Sequence, residues 1–228
     1  FVRAGARLMG ADRERYAQRN ERLAALMTTF GQNVLADEAA YRLTLANEAD
    51  MAGLPAFLRD AARQAAADRG LSGAVITLSR SLIVPFLTFS ERRDLRAAAW
   101  RAWTGRGAHA GPTDNRPLIR EILELRAEQA AALGYPSFAD YAAANSMARS
   151  PANVMRLLDD VWSRALPELE RERGELLAQM RAQGVSHDIE PWVGRAVRAG
   201  RLDPQQFLEI AETLDATARL ATSLAEER

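Results

Sequence analysis

Two histidines, His109 and His187, are the only imidazoles in this chain of 228 residues. A zinc helix of the His-Glu-x-x-His type needs two histidines four apart, so that both rings face one ion. Four residues after His109 stands Thr113, and four after His187 stands Pro191. His187, Asp188 and Glu190 gather metal-capable groups, but in a polar loop beside a proline. Both histidines read as ordinary loop or surface residues. Cysteine is absent, which removes disulfides, thiol nucleophiles and Cys-ligated zinc. Every basic residue is Arg, so Schiff-base and P-loop lysine chemistry are excluded as well.

The remaining chemistry-bearing groups have structural readings. Gly105-Arg106-Gly107-Ala108-His109-Ala110-Gly111 is glycine-rich, but it follows a helical pattern rather than a strand and has no Lys. It reads as a flexible loop between helices, not as a phosphate cradle. The carboxylate pairs Asp37-Glu38 and Asp159-Asp160 suit acid–base work only when buried together. On helices this rich in charge they read as solvated faces paired with Arg. Trp100 and Trp103, three apart, read as core. The Arg/Glu run from Glu168 to Glu175 reads as an exposed helix laced by i,i+4 pairs. No Gly-x-Ser-x-Gly elbow supports a serine nucleophile.

These residues need a scaffold, and the composition points to helices. Ala, Leu, Arg and Glu are abundant and aromatics make up only 7%. Thirty basic and thirty acidic side chains cancel, so nucleic-acid binding by bulk charge is not expected. No apolar run approaches the roughly 20 residues of a membrane span. The chain opens on Phe1 and is expected to be a piece of a longer protein.

A long helix is predicted from about Asp12, with Tyr16, Leu23, Leu26, Phe30 and Val34 as one apolar stripe. Tyr41 to Leu45 alternates and predicts a short half-buried strand; Ala74 to Leu78 predicts a second, and the two can pair. Helices are predicted over Leu54–Asp68 and Ser81–Thr88, the latter interrupted by Pro85. Others follow Ser90, Asp114, Ser137 and Ser150, each read as an N-cap, and Gly134 ends one of them. Pro167 predicts a kink or break in the last of these, and Asp203-Pro204 starts a tail helix. The fold class is mainly α, with one short two-stranded β element.

Several segments, taken in order, resemble one family. They begin with Asp12-Arg13-Glu14-Arg15-Tyr16-Ala17, Asn20-Glu21-Arg22-Leu23 and Phe30-Gly31-Gln32-Asn33-Val34-Leu35-Ala36-Asp37-Glu38. Ala52-Gly53-Leu54-Pro55, Pro85-Phe86-Leu87-Thr88-Phe89-Ser90, Arg92-Arg93-Asp94-Leu95-Arg96 and Thr113-Asp114-Asn115 follow. Leu125-Arg126-Ala127-Glu128, Leu133-Gly134-Tyr135-Pro136-Ser137-Phe138-Ala139 and Glu190-Pro191-Trp192 complete them. Together they resemble the thimet oligopeptidase family of zinc metallopeptidases, and Asn33 to Glu38 leans towards its bacterial peptidyl-dipeptidase (Dcp) branch.

The resemblance implies a helical fold with a deep substrate channel between two halves. It implies hydrolysis of short peptides by zinc, held by a His-Glu-x-x-His helix and a downstream Glu. None of those elements stands in this sequence. No catalytic, cofactor-binding or metal residue can be carried over, and no zinc is expected in this chain. Residues 1–192 are expected to wall the channel, and the partners are short peptides and the catalytic half. Binding of nucleic acid or membrane is not expected. A cytoplasmic location is implied, with the periplasm as the alternative. A non-catalytic helical interaction protein is the competing reading. A chain holding only this half is expected to show an exposed apolar face, to bind dye and to self-associate.

Residues 193–228 leave the family pattern. Gly200 to Leu214 is faintly similar to a helical segment of bacterial MutS-like ATPases, and a junction of two coding sequences would explain it.

Overall fold

The computed structural model describes residues 1–182, 184, 186 and 188–191. His187, Trp192 and the tail, with the helix expected at Asp203, lie outside the described residues. The described fold is mainly helical: α1 (Gly10–Ala40), α2 (Ala56–Ala67), α3 (Arg80–Phe89), α4 (Arg93–Thr104), α5 (Arg116–Ala132), α6 (Phe138–Ala143) and α7 (Pro151–Ala182). Strands β1 (Leu43–Leu45) and β2 (Ala74–Ile76) form one small antiparallel sheet. The chain packs as two compact units, one of Phe1–Asp37 and Gly107–Leu169, the other of Glu38–Arg106 with the described residues from Glu170.

The second unit holds an extended apolar cluster. The alternation at Tyr41–Leu45 yields β1, paired with β2 in the register Leu43 to Ile76, Thr44 to Val75 and Leu45 to Ala74. Leu45 is buried while Thr44 is exposed, as a half-buried strand requires. β2 is buried along its whole length, with α2 packed on it. α2 presents Leu58, Ala62, Ala65 and Ala66 on one face, a spacing that matches the helical period. α3 and α4 add Ile83, Phe86, Ala99, Trp100 and Trp103. Trp100 and Trp103 meet edge to face, with centroids 5.7 Å apart, so the tryptophan pair is core.

Polar groups are stitched into this cluster. Asp50 is buried; it accepts the Ala46 N–H at 2.8 Å and pairs with Arg92. Arg59 donates to the carbonyls of Leu54 at 2.9 Å and Met51 at 3.0 Å, holding the turn before α2. Buried Arg96 donates to the Ser90 carbonyl at 2.5 Å. Together these groups satisfy the turn and helix-end carbonyls that burial would otherwise leave unpaired.

In the first unit α1 and α5 are joined by polar pairs. Arg19 meets Glu128 at 3.0 Å, Arg22 meets Glu121 at 2.5 Å, and Gln129 donates to Asn20 at 2.8 Å. α5 ends as expected at Gly134, with the Tyr135 N–H bonding the Ala130 carbonyl and the Gly134 N–H that of Ala131. Ser137 and Ser150 cap α6 and α7 by accepting the N–H groups of Asp140 and Asn153.

Some boundaries differ from the sequence expectation. Pro85 and Pro167 do not interrupt their helices: α3 and α7 run through them. A proline removes one intrahelical donor, and the surrounding turns carry the helix past it. Ser90 lies at the end of α3 rather than at the start of α4. Its hydroxyl accepts the Arg92 N–H at 3.2 Å, and α4 starts at Arg93. Asp114 stands one residue ahead of the α5 cap position, Asn115, and accepts the Arg116 N–H at 3.0 Å.

Candidate functional site

The glycine-rich loop is where the described chain gathers its most concentrated polar chemistry. Asp37, near the end of α1, receives two partners from it and a third, Thr113, from just beyond its end. Its Oδ2 accepts the Gly107 N–H at 2.6 Å and lies 2.8 Å from His109 Nε2; its Oδ1 accepts the Thr113 hydroxyl at 2.5 Å. The Asp37 side chain is only 11% exposed, whereas His109 is 56% exposed. Burial pushes the Asp37 carboxyl up, but Thr113, Gly107 and His109 together outweigh it and hold the carboxyl below its usual range.

A second layer lies beneath. Asn115 is 1% exposed; its N–H donates to the Gly107 carbonyl at 2.8 Å. Its side-chain amide donates to the Phe30 carbonyl at 3.2 Å and accepts from Asn33 at 2.9 Å. Gly107 has φ +65°, and a Cβ there would sit 2.6 Å from Asn115 Nδ2. Glycine is required twice over, by the left-handed backbone and by the close amide. Beside it, Asp114 is held at about 2 by hydrogen bonding to Arg116, with Arg116 and His109 adding favourable charge.

The chemistry of this cluster is that of a clasp. In an acid–base triad the hydroxyl would face the imidazole. Here the Thr113 proton is directed at the carboxylate, and the other ring nitrogen, Nδ1, faces only the Ala110 carbonyl at 3.4 Å. A bound metal needs at least three good donors, and among the described residues no group of three His, Cys, Asp or Glu side chains is placed to hold one. The described residues therefore do not fit the zinc ion that the resemblance implies for the intact enzyme.

The loop makes more polar contacts than its sequence suggested. His109 is a loop histidine, as expected, but it is engaged by a carboxylate. Glu38 pairs with an Arg, Arg106, as read from the sequence. Asp37 does not; it takes a backbone N–H, a hydroxyl and an imidazole instead. Sequence reasoning missed it because its partners lie 70 to 76 residues away. One signal was present: Phe30 to Glu38 and Thr113 to Asn115 both carry the family resemblance, and the fold brings them together.

Other candidates carry less. The Asp159-Asp160 pair is exposed, with Asp160 2.9 Å from Arg164. Asp188 and Glu190 are separated by their partners: Asp188 meets Arg173 at 3.1 Å and Glu190 pairs with Arg93. The Arg/Glu run forms the expected helix pairs, among them Arg171 with Glu175. A groove of about 460 Å³ in the first unit is lined by Asp12, Arg15, Arg19 and Glu128, whose charges are paired within it. No described helix is long and apolar enough to cross a membrane.

One surface stands apart. From Ala152 to Glu168 every residue of α7 is exposed, including Val154, Leu157, Leu158, Val161, Trp162 and Leu166.

Comparison with known proteins places this scaffold. The model of peptidase family M3 matches residues 86–215, more than half of the chain and running past Trp192. The chain is similar to oligopeptidase A of Haemophilus influenzae, 34% identical over 196 residues, covering 84% of this chain and 29% of that protein. It is 32% identical to oligopeptidase A of Escherichia coli over the same shares of each chain. The dipeptidyl carboxypeptidase of Escherichia coli is 28% identical over 193 residues, covering 84% of this chain and 28% of that protein. The chain thus spans less than a third of the length of these relatives, and on these matches it belongs to peptidase family M3.

Proposed function

We propose that this chain is a helical, non-catalytic portion of a zinc metallopeptidase that hydrolyses short peptides, of the oligopeptidase or dipeptidyl carboxypeptidase type. The observation that carries the reading is the 34% identity to an oligopeptidase A across 84% of the chain. In the intact enzyme residues 1–192 form a wall of the peptide channel. Residues 193–228 are set apart as a tail of uncertain origin, although the family match runs into them as far as residue 215. Zinc would be held by residues outside this sequence, because the two histidines here are 78 positions apart in the sequence with no paired His-x-x-x-His spacing, and His109 is committed to Asp37. Its partners are short peptides and the catalytic half; nucleic acid and membrane are not among them, and its compartment is the cytoplasm, with the periplasm as the alternative.

By itself the chain is inert. The purified chain, given zinc and a quenched fluorescent peptide, is expected to show no cleavage above the blank. Chelator-sensitive cleavage would overturn this. The second reading, a helical interaction protein, is favoured by the exposed stripe of α7. The source gene separates the two: a His-Glu-x-x-His in frame downstream supports the peptidase reading, and an open frame without one supports the other.

A further inference from the structure

A groove of about 460 Å³ lies beside the first turns of α1 and the last turns of α5, within the first unit. Small-molecule sites span roughly 300–1,000 Å³. Leu8, Ala131 and Ala132 give the groove an apolar lining. Asp12, Arg15, Arg19 and Glu128 supply two charges of each sign. Arg15 and Arg19 stand about one helical turn apart on the same face of α1, about 6 Å along its axis. The ion pairs inside the groove leave donors and acceptors over. Arg19 donates from Nε to Glu128 Oε2 at 3.0 Å. Neither its two terminal nitrogens nor Glu128 Oε1 has a hydrogen-bond partner among the described residues. The Arg19 side chain is only 14% exposed, so its surroundings hold the guanidinium, while the terminal nitrogens keep access to solvent. Arg15 meets Asp12 at 2.5 Å in a pair exposed on both sides, which contributes little and can exchange partners.

These open groups define a ligand. A guanidinium fork takes a carboxylate through two parallel N–H donors. The carboxylate oxygen left over on Glu128 accepts from an ammonium. Fork and oxygen belong to one ion pair and so stand side by side. They match a molecule whose own carboxylate and ammonium are joined through a single carbon. The lining charges cancel, so a simple anion would meet Asp12 and Glu128 as like charges. The apolar lining offers room for an apolar side chain. We propose that this groove binds a free α-amino acid with an apolar side chain, its carboxylate on Arg19 and Arg15 and its ammonium on Glu128. The site goes beyond the peptidase reading and uses no group of the Asp37 cluster.

The test titrates L-leucine into the full chain by calorimetry and follows the amide NMR spectrum of the labelled chain. Saturable binding with a dissociation constant on the order of 1 mM is expected. The amides of Ala131 and Ala132 are expected to shift. Leucinamide, which lacks the carboxylate, and N-acetyl-leucine, which lacks the ammonium, are each expected to bind at least about tenfold more weakly. Arg15→Gln and Glu128→Gln, both at exposed positions, are expected to weaken leucine by about fivefold or more. Arg22→Gln, which breaks the pair with Glu121 outside the groove, is expected to leave binding unchanged. Circular dichroism checks that each variant folds. No heat and no shifts up to about 20 mM leucine overturn the proposal. Equal binding of leucinamide or N-acetyl-leucine overturns it without any variant. Tighter binding of the dipeptide leucyl-leucine does so too, since the ligand is then a peptide, as does binding of inorganic phosphate in place of leucine. No step of the test reads peptide cleavage, so its failure leaves the peptidase reading standing.

Discussion

The carboxylate of Asp37 accepts the backbone N–H of Gly107 at 2.6 Å across 70 residues of chain. The same carboxylate holds the Thr113 hydroxyl and meets His109, so a single side chain on α1 closes the glycine-rich loop. Replacing Asp37 by Ala leaves the Gly107 N–H and the Thr113 hydroxyl without their acceptor. A net loss of about 2–4 kcal/mol is expected, since bonds to a charged, mostly buried group are worth about 1.5–3 kcal/mol each and are not additive. Urea unfolding of the two proteins measures it. Glu38→Ala, which removes a partly exposed ion pair, is expected to cost less than about 1 kcal/mol.

Two glycines of positive φ give a second, contrasting prediction. Gly134→Ala meets nothing within 4 Å, so only the left-handed backbone opposes it, at about 1–2 kcal/mol. Gly107→Ala adds a collision with the Asn115 amide to the same strain. It is expected to be the more damaging of the pair, by thermal or urea unfolding. Equal losses would show that Asn115 moves aside freely.

Acid should release the clasp. The Asp37 carboxyl lies below its usual range in the fold, with the Thr113, Gly107 and His109 bonds outweighing the effect of burial. A depressed carboxyl contributes its stability above the unfolded value of about 4 and loses it as pH falls through the lower, folded value. The difference in urea midpoint between the native chain and Asp37→Asn is therefore expected to be largest at neutral pH and to shrink below pH about 4. A difference constant down to pH about 2 would show that the shift is absent.

The tryptophans report on the two kinds of surface. Trp100 is 2% and Trp162 41% exposed. Trp162→Phe is expected to lower the quencher-accessible emission and to leave stability within about 0.5 kcal/mol. Trp100→Ala, in the core of the second unit, is expected to cost about 3–5 kcal/mol. Acrylamide quenching and urea unfolding check both.

Much of this protein is written locally. The alternation at Tyr41–Leu45 announced the first strand, the short apolar run at Ala74–Leu78 the second, and the three-residue spacing of Trp100 and Trp103 their place in the core. Ser137, Ser150 and Gly134 announced helix ends because capping is an interaction within one turn. Family membership was legible too, as it rests on ordered short segments. The partners of Asp37 were not, since each lies on a loop that only the packed chain brings near. Ser90 was misplaced for a related reason: a hydroxyl three residues ahead of a helix accepts the same N–H type as a cap, and only the backbone angles decide where the helix starts. The exposure of α7 was likewise settled by the fold. An amphipathic pattern states that a face needs cover, and tertiary structure alone shows that the described residues leave it open.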